Sequence, residues 1–174
     1  IVYINNSTDT TKDIASTFSN VKIINGPFLG FGQTKQKAAS YASNDWVLSI
    51  DSDEIINTVL LHALETISLD HNTVYKIKRQ IYYRQKKIRF CGLRNETLVR
   101  LFNRKITNFD NSIINEKILY KGLKSITLKG HMKHYSYTSI SHFIQKTDLY
   151  SSLYAEQNTK YSSLLLAIIK SIIC

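Results

Sequence analysis

The apolar positions of the first 25 residues change their spacing from strand to helix and back. Residues 1–4 are a continuous apolar run, which is typical of a strand. Apolar positions at helical spacing follow in residues 10–18, and Thr10 with Asp13 resembles a capping box at the start of that helix. The apolar stripe of this helix consists of Ile14, Ala15 and Phe18. Residues 21–24 are predicted to be a second strand, so the order strand, helix, strand predicts the start of a parallel α/β sheet.

The pattern continues with further helices and strands. Two helices are predicted, at residues 33–42 and at residues 57–68, and Asn57 is expected to cap the second one. Its predicted core positions are Val59, Leu60, Ala63, Leu64 and Ile67. Further strands are predicted at residues 74–83, 86–90 and 98–102 and from Ile126 onward. The first two of these strands alternate apolar with basic or polar residues, which favours an exposed antiparallel pair.

The last part of the chain is predicted to be helical. A helix is expected over residues 139–160, followed by the strongly apolar segment 161–174. This segment is about half the length that a membrane span needs, and Lys170 interrupts it, so a core helix, an interfacial helix and the front of a longer span all remain open. We expect it to form a separate helix on or near a membrane surface.

Acidic residues follow the apolar run 47–50 directly. If that run is a strand that continues to residue 53, Asp51 and Asp53 point to the same side, and Glu54 follows them. Two carboxylates on one side repel each other unless a cation lies between them, and such oxygen ligands suit Mg²⁺ or Mn²⁺. The stretch predicts a divalent metal that holds a phosphorylated substrate. The alternative is a solvated turn after a strand.

A glycine-punctuated loop precedes the helix at residues 33–42. Gly30 and Gly32 would let backbone N–H groups approach an anion, and Lys35 and Lys37 lie in the first turns of the helix. The spacing fits no established phosphate-binding motif. An anion cradle and a flexible loop with solvated lysines therefore both remain open.

The composition narrows the classes of partner. The chain has 174 residues, 43% hydrophobic and 21% charged, which excludes a disordered chain. A net charge of +10 favours an anionic partner: nucleic acid, an anionic membrane or a phosphorylated substrate. Cys91 and Cys174 lie far apart in sequence and are expected to be reduced thiols. Because the chain opens inside a strand, we expect it to be part of a longer protein.

Several stretches together resemble a known enzyme family. Residues 45–54 are similar, nearly residue for residue, to the Asp-Trp-Val-Leu-Ser-Leu-Asp-Ala-Asp-Glu stretch of family 2 glycosyltransferases. The supporting stretches, in the same order as in that family, are residues 6–11, 30–36, 100–104, 115–116 and 134–137. The resemblance is greatest to the bacterial branch that adds glucose or a similar sugar to the lipopolysaccharide core.

This resemblance implies a fold and an activity. The fold would be of the GT-A type, a Rossmann-like mixed α/β sheet with helices on both faces, without the family's first strand, and residues 1–160 would be the catalytic domain. The activity would be an inverting transfer of a hexose from a nucleotide-diphospho-sugar to a saccharide or glycolipid acceptor. The expected location is the cytoplasm, at the inner face of the membrane with peripheral membrane contact, and no nucleic acid partner is expected.

The resemblance also implies the residues of a donor site. Asp51 would contact the ribose or share the metal, and Asp53 would bind Mn²⁺ or Mg²⁺ at the diphosphate. His134 would be a further metal ligand or a phosphate contact. Lys35 and Asp9 would complete the donor site.

The acceptor side rests on fewer residues. Glu116 matches the Glu of the family's His-Glu and would be the general base, with Asp110 as the second candidate. Arg100 would face the acceptor, and the basic strands at residues 76–89 would meet an anionic acceptor, a membrane or only solvent. His131 is expected to be structural.

Three alternatives remain open at this point. A phosphatase of the haloacid dehalogenase type also has Asp-x-Asp after a strand, but the acidic residues after Glu54 are never adjacent, as its metal site would require. A basic module that binds nucleic acid fits the charge but shows no nucleic-acid-binding motif. A truncated, inactive transferase is the third alternative.

Overall fold

The computed structural model describes residues 1–88 and 96–157, which form parts of two compact units. The first unit consists of Ile1–Ile50, Ser68–Lys76 and Val99–Thr127. The second unit takes the remaining described residues, and the chain passes from one unit to the other several times. The predictions for Cys91, Cys174 and the apolar segment 161–174 lie outside the described residues.

Short strands and helices alternate along the chain. The helices are α1 (Thr11–Ser16), α2 (Phe31–Ser40), α3 (Thr58–Thr66) and α4 (Ile140–Gln157). The strands are β1 (Val2–Ile4), β2 (Ile23–Asn25), β3 (Trp46–Leu48), β4 (Glu54–Ile56), β5 (Thr73–Tyr83), β6 (Lys86–Lys87), β7 (Glu96–Asn103), β8 (Lys124–Thr127) and β9 (Met132–Tyr137). Both β5 and β7 contribute residues to the two units.

The first unit contains parallel and antiparallel strand pairs. β1 is parallel to β2, with Val2 opposite Ile23, which confirms the predicted strand–helix–strand beginning. β3 is antiparallel to β7, and β8 is parallel to the first residues of β5. The pairing is therefore mixed, as the sequence predicts.

An aromatic and aliphatic cluster forms the core of the first unit. Its buried members are Val74, Phe102, Phe109 and Ile118. The rings of Phe102 and Phe109 meet edge to face, with 5.5 Å between their centroids. Phe109, from the loop between β7 and β8, belongs to the core and pairs with Ile118. The loop is thereby anchored to the sheet.

The second unit is built on β9. β4 lies antiparallel to β9, with Glu54 opposite His134, and the last part of β5 lies parallel to β9, with Ile81 also opposite His134. β6 returns antiparallel along β5, as predicted. Asn57 caps α3 by accepting a hydrogen bond from the backbone N–H of Leu60, which confirms that prediction.

Two predictions for α1, its capping box and its buried apolar stripe, are wrong. Thr10 makes no capping hydrogen bond through its side chain, and the carboxylate of Asp9 accepts from the backbone N–H of Thr11 instead. Of the predicted apolar stripe only Ala15 is buried, while Ile14 and Phe18 are exposed. A helix of six residues has too little length to bury a stripe two turns long.

Other predicted core and surface positions also differ from the structure. β5 is not an exposed strand, because it has neighbouring strands on both edges, and Val74, Tyr75 and Ile77 are buried. In α3, Leu60 is fully buried but Val59 is exposed. One strand was predicted from Ile126 onward, whereas the structure has two, because β8 ends at Thr127 and β9 begins at Met132.

The last described helix, α4, has exposed apolar residues, among them Ile140 and Ile144. Phe143 contacts Tyr137 edge to face, with 4.9 Å between the ring centroids. Within residues 1–88 and 96–157, no helix combines the length and the apolar character needed to cross a bilayer.

Candidate functional site

Asp51 and Asp53 lie in a tight turn rather than in a strand. β3 ends at Leu48 and β4 begins at Glu54, so the prediction that strand alternation places the two carboxylates on one side is wrong. The backbone N–H of Glu54 donates to the carbonyl of Asp51 at 3.0 Å, which closes the turn. The side chain of Glu54 accepts a hydrogen bond from the backbone N–H of Asp51 at 2.9 Å.

The carboxylate of Asp53 is joined to β9 by a short chain of polar side chains. Its Oδ2 lies 3.0 Å from Nε2 of His134, and Nδ1 of the same ring lies 2.8 Å from Oγ of Ser136. The backbone N–H of Tyr135 donates to the carbonyl of Asp53 at 2.9 Å. Asp53 is therefore held to β9 through both its side chain and its backbone.

The electrostatics of this cluster favour the ionised form of Asp53. Burial acts to raise its pKa, but the hydrogen bond and charge of His134, together with the charge of Lys146, outweigh burial. The pKa of Asp53 is therefore below its usual value. Asp51 acts in the opposite direction, because a second carboxylate nearby raises the pKa of the first.

The arrangement is compatible with a divalent metal. The 3.0 Å between Oδ2 of Asp53 and Nε2 of His134 is an ordinary hydrogen-bond length, and both a carboxylate and an imidazole are groups that can bind a divalent metal. Ser136 at the second nitrogen of the ring is the kind of outer contact that fixes a metal-binding histidine. In the described part of the chain no three His, Cys, Asp or Glu side chains form a metal-binding group. Water and phosphate oxygens would have to supply the remaining ligands.

In the first unit, Lys35, the predicted positive group of the donor site, lies next to Glu116, the predicted general base. Nζ of Lys35 in α2 lies 2.5 Å from Oε1 of Glu116. Both side chains are largely buried, with 16% and 14% of their surface exposed, and Nζ lies 5.7 Å from the ring centroid of Phe109. The carboxylate and its cation are therefore fixed relative to each other.

Asp110 organises the loop that carries Glu116. Its Oδ1 accepts hydrogen bonds from the backbone N–H groups of Ser112 and Lys117, each at 3.2 Å. Its own N–H donates to the carbonyl of Lys117 at 2.8 Å. These contacts hold the loop in shape, and the roles of Glu116 as the base and of Asp110 as the second candidate stay predictions.

The glycine loop packs against the same segment of chain. The N–H groups of Phe31 and Gly32, at the start of α2, donate to the carbonyls of Ile113 and Ser112. A Cβ atom on Gly32 would lie 2.1 Å from the carbonyl oxygen of Asp110. These two amides are used inside the protein and are not available to an anion, whereas Phe28 and Leu29 of the same loop are exposed.

The two remaining predicted site residues have structural contacts. Asp9 accepts hydrogen bonds from Thr11 and Ser7, which lower its pKa to about 2. Arg100 lies in β7 with only 3% of its surface exposed. Their contacts with a donor and an acceptor stay predictions.

Sequence reasoning missed Ser136 and Lys146. Ser136 lies two residues after His134 and therefore on the same face of β9, so a correct prediction of that strand would have pointed to it. Lys146 lies in α4, with Nζ 5.6 Å from the ring centroid of Tyr137. No local pattern marks its effect on Asp53.

Comparison with known proteins identifies the class and then the family. Residues 1–123, which include the acidic turn between β3 and β4, match the profile of a class of transferases, the family described as Glycosyl transferase family 2. The chain belongs to that family, and its fold is of the GT-A type. This membership favours a transferase over the phosphatase and nucleic-acid-binding alternatives.

Relatives of the same class occur in Rickettsia. The chain is 38% identical over 186 residues to an uncharacterized glycosyltransferase of Rickettsia typhi, covering 96% of this chain and 62% of the relative. It is 38% identical over 175 residues to one of Rickettsia prowazekii, covering 92% and 59%. A third, from Rickettsia felis, is 34% identical, covering 92% and 60%. The chain thus spans about three fifths of the length of these relatives.

Proposed function

We propose that this protein transfers a hexose, with inversion, from a nucleotide-diphospho-sugar to a saccharide or glycolipid acceptor. The observation that carries the proposal is the Asp53–His134–Ser136 chain in a member of glycosyltransferase family 2. A carboxylate kept ionised, next to an imidazole oriented by a hydroxyl group, suits a cation that must bind a diphosphate.

Asp53 and His134 are the proposed ligands of Mn²⁺ or Mg²⁺. When bound, the ion supplies positive charge against the diphosphate that leaves with the nucleotide. Asp51 is assigned to the ribose or to the same ion. Imidazole is a less usual ligand of Mg²⁺ than of softer metals, so we expect the pair to prefer Mn²⁺.

Glu116 is the proposed general base, which accepts the proton of the attacking hydroxyl group of the acceptor. Its ion pair with Lys35 fixes the orientation of the carboxylate before the acceptor arrives. Lys35 is also the proposed positive group of the donor site. Both roles require the ion pair to loosen when substrates bind.

The acceptor and the location are proposed from weaker observations. A glycan of the cell surface, such as lipopolysaccharide, is the proposed product, and Arg100 and Asp9 are assigned to acceptor and donor only through the resemblance. The exposed apolar residues Ile140 and Ile144 of α4 support a peripheral contact with the cytoplasmic face of a membrane.

A turnover assay tests this proposal. The protein is incubated with a panel of nucleotide-sugars, Mn²⁺ and saccharide acceptors, and release of nucleoside diphosphate is measured. We expect release with one donor, and a loss of about 10²- to 10⁴-fold in kcat for Glu116→Gln, because removing a general base has effects of that size. The matched control is Glu65→Gln, which changes an exposed glutamate of α3.

Two results would count against the proposal. Full activity of Glu116→Gln would remove the assignment of the base. No turnover of any donor by the folded protein would favour the truncated, inactive transferase instead.

A further inference from the structure

The carboxylate of Glu54 is buried at the first position of β4. Its side chain has no exposed surface, although a charged group is costly to bury unless it is paired. The sequence gives it no role beyond following the two aspartates. A buried charge beside a candidate metal-binding turn therefore requires an explanation.

Both oxygens of Glu54 have partners. Oε2 accepts the backbone N–H of Asp51 at 2.9 Å, and Oε1 lies 3.4 Å from Nη1 of Arg79 in β5. The backbone N–H of Glu54 donates to the carbonyl of Asp51 at 3.0 Å. Glu54 therefore holds the backbone of Asp51 from two sides, through its side chain and through its amide.

The strand register links this contact to the histidine of the site. Glu54 is opposite His134 in the pairing of β4 with β9, and Ile81 is opposite His134 in the pairing of β5 with β9. Directly paired residues share a face of the sheet, and Arg79 lies two residues before Ile81 on that same face. Glu54, Arg79 and His134 are therefore on one face.

We propose that Glu54 is a positioning residue, which fixes the Asp51–Asp53 turn so that its carboxylates can receive the metal and donor. The guanidinium group of Arg79 pairs with the carboxylate of Glu54 and keeps that side chain in position. The inference rests on the proposed donor site and deepens it, because it assigns to the third acidic residue of the stretch a task different from that of the first two.

Arg79 has a second acidic partner, which provides a matched control. Its guanidinium also bonds to the carboxylate of Glu96 in β7, whose side chain is 46% exposed. The structure gives Glu96 no contact with the turn among the hydrogen bonds described for it. Glu96→Gln thus removes a carboxylate from the same arginine without removing the acceptor of the Asp51 N–H.

The test compares Glu54→Met, Glu54→Gln and Glu96→Gln with the unaltered protein. Hydrogen exchange of the Asp51 backbone amide is measured by NMR without metal or donor, and the Kd of the nucleotide-sugar is measured with Mn²⁺. We expect Glu54→Met to lose the protection of the Asp51 amide and to raise Kd about 10- to 100-fold, the range seen for outer contacts of metal sites. Glu54→Gln keeps an oxygen acceptor and should show smaller changes of the same kind, and Glu96→Gln should show neither.

The two readouts separate this inference from the proposed function. Unchanged Asp51 protection and unchanged Kd in Glu54→Met would overturn the inference while leaving the donor site intact. No metal-dependent binding by the unaltered protein would overturn the proposed function, whereas the exchange measurement would still report on the turn. If Glu54→Met fails to fold, Glu54→Gln decides, and values equal to those of Glu96→Gln overturn the inference.

Discussion

At the scale of single residues, the chemistry of the site depends on how Asp53 is kept charged. Its carboxylate is partly removed from water, and His134 and Lys146 together outweigh that burial. When a metal occupies Nε2 of His134, the proton of that nitrogen must leave. The remaining proton would then be on Nδ1, and Oγ of Ser136 would accept its hydrogen bond and fix the orientation of the ring.

Ser136→Ala tests this orientation. Because the hydroxyl group fixes the ring of His134, its loss should weaken Mn²⁺ binding about 10- to 100-fold. The measurement is a titration with Mn²⁺ followed by electron paramagnetic resonance. Ser141→Ala, an exposed serine at the start of α4, is the control, and equal Mn²⁺ affinity in both variants would argue against the orientation.

At the scale of elements, α1 depends on a carboxylate that precedes it. Hydrogen bonds from Thr11 and Ser7 lower the pKa of Asp9 to about 2, from an ordinary value of 3.8. Because the folded pKa is depressed, the stabilisation is present above about pH 4 and is lost as the pH falls toward 2. The effect is modest because the group is exposed.

Asp9→Asn should therefore reduce the acid sensitivity of the protein. Between pH 4 and pH 2 the unaltered protein should lose more stability than Asp9→Asn, as measured by urea unfolding at each pH. Parallel stability curves for the two proteins over this range would contradict the capping role of Asp9.

Gly32 tests the packing of α2 on the loop that carries Asp110. In an exposed helix, replacing glycine by alanine stabilises by about 1 kcal/mol. Here the added Cβ would lie 2.1 Å from a backbone oxygen, so Gly32→Ala should destabilise by about 1–3 kcal/mol. Denaturant unfolding measures the change, and Gln33→Ala in the same helix should stay within about 0.5 kcal/mol. If Gly32→Ala is more stable than the unaltered protein, the loop at Asp110 moves to accept the Cβ atom, and the close packing is contradicted.

Patterns of neighbouring residues predicted most of the helices and strands. The wrong predictions concern features that depend on contacts between residues far apart in the sequence. Asn57 was identified as a cap because its acceptor lies three residues from the amide that it binds. The alternation of apolar and polar residues predicted the length of β5. It did not predict that β5 is buried, because burial depends on neighbouring strands from other parts of the chain. β9, which carries both His134 and Ser136, was not predicted as a strand separate from β8.

The site was predictable only in part for the same reason. Asp53 and His134 are separated by 81 positions, and no periodicity links them. Their common role came from a resemblance to known transferases. The roles of Glu54 and Arg79 depend on strand register, which a single sequence does not give.

At the scale of the whole molecule, stability depends on small cores and on strands that are short. Phe102 is fully buried in the first unit and contacts Phe109. Phe102→Ala should therefore cost about 3–5 kcal/mol in the free energy of unfolding. Ile126→Ala, at an exposed position of β8, is the control and should cost far less. Similar losses in both variants would contradict the assigned core.

The central claim is that Asp53 holds a metal ion that binds the diphosphate of a nucleotide-sugar. Calorimetric titration of nucleotide-sugars, with and without Mn²⁺, tests it on the unaltered protein, on Asp53→Ala and on the control Asp148→Ala in α4. We expect Mn²⁺-dependent binding by the unaltered protein and by Asp148→Ala, and none by Asp53→Ala. Equal binding by Asp53→Ala, or no binding by any of the three proteins, would contradict it.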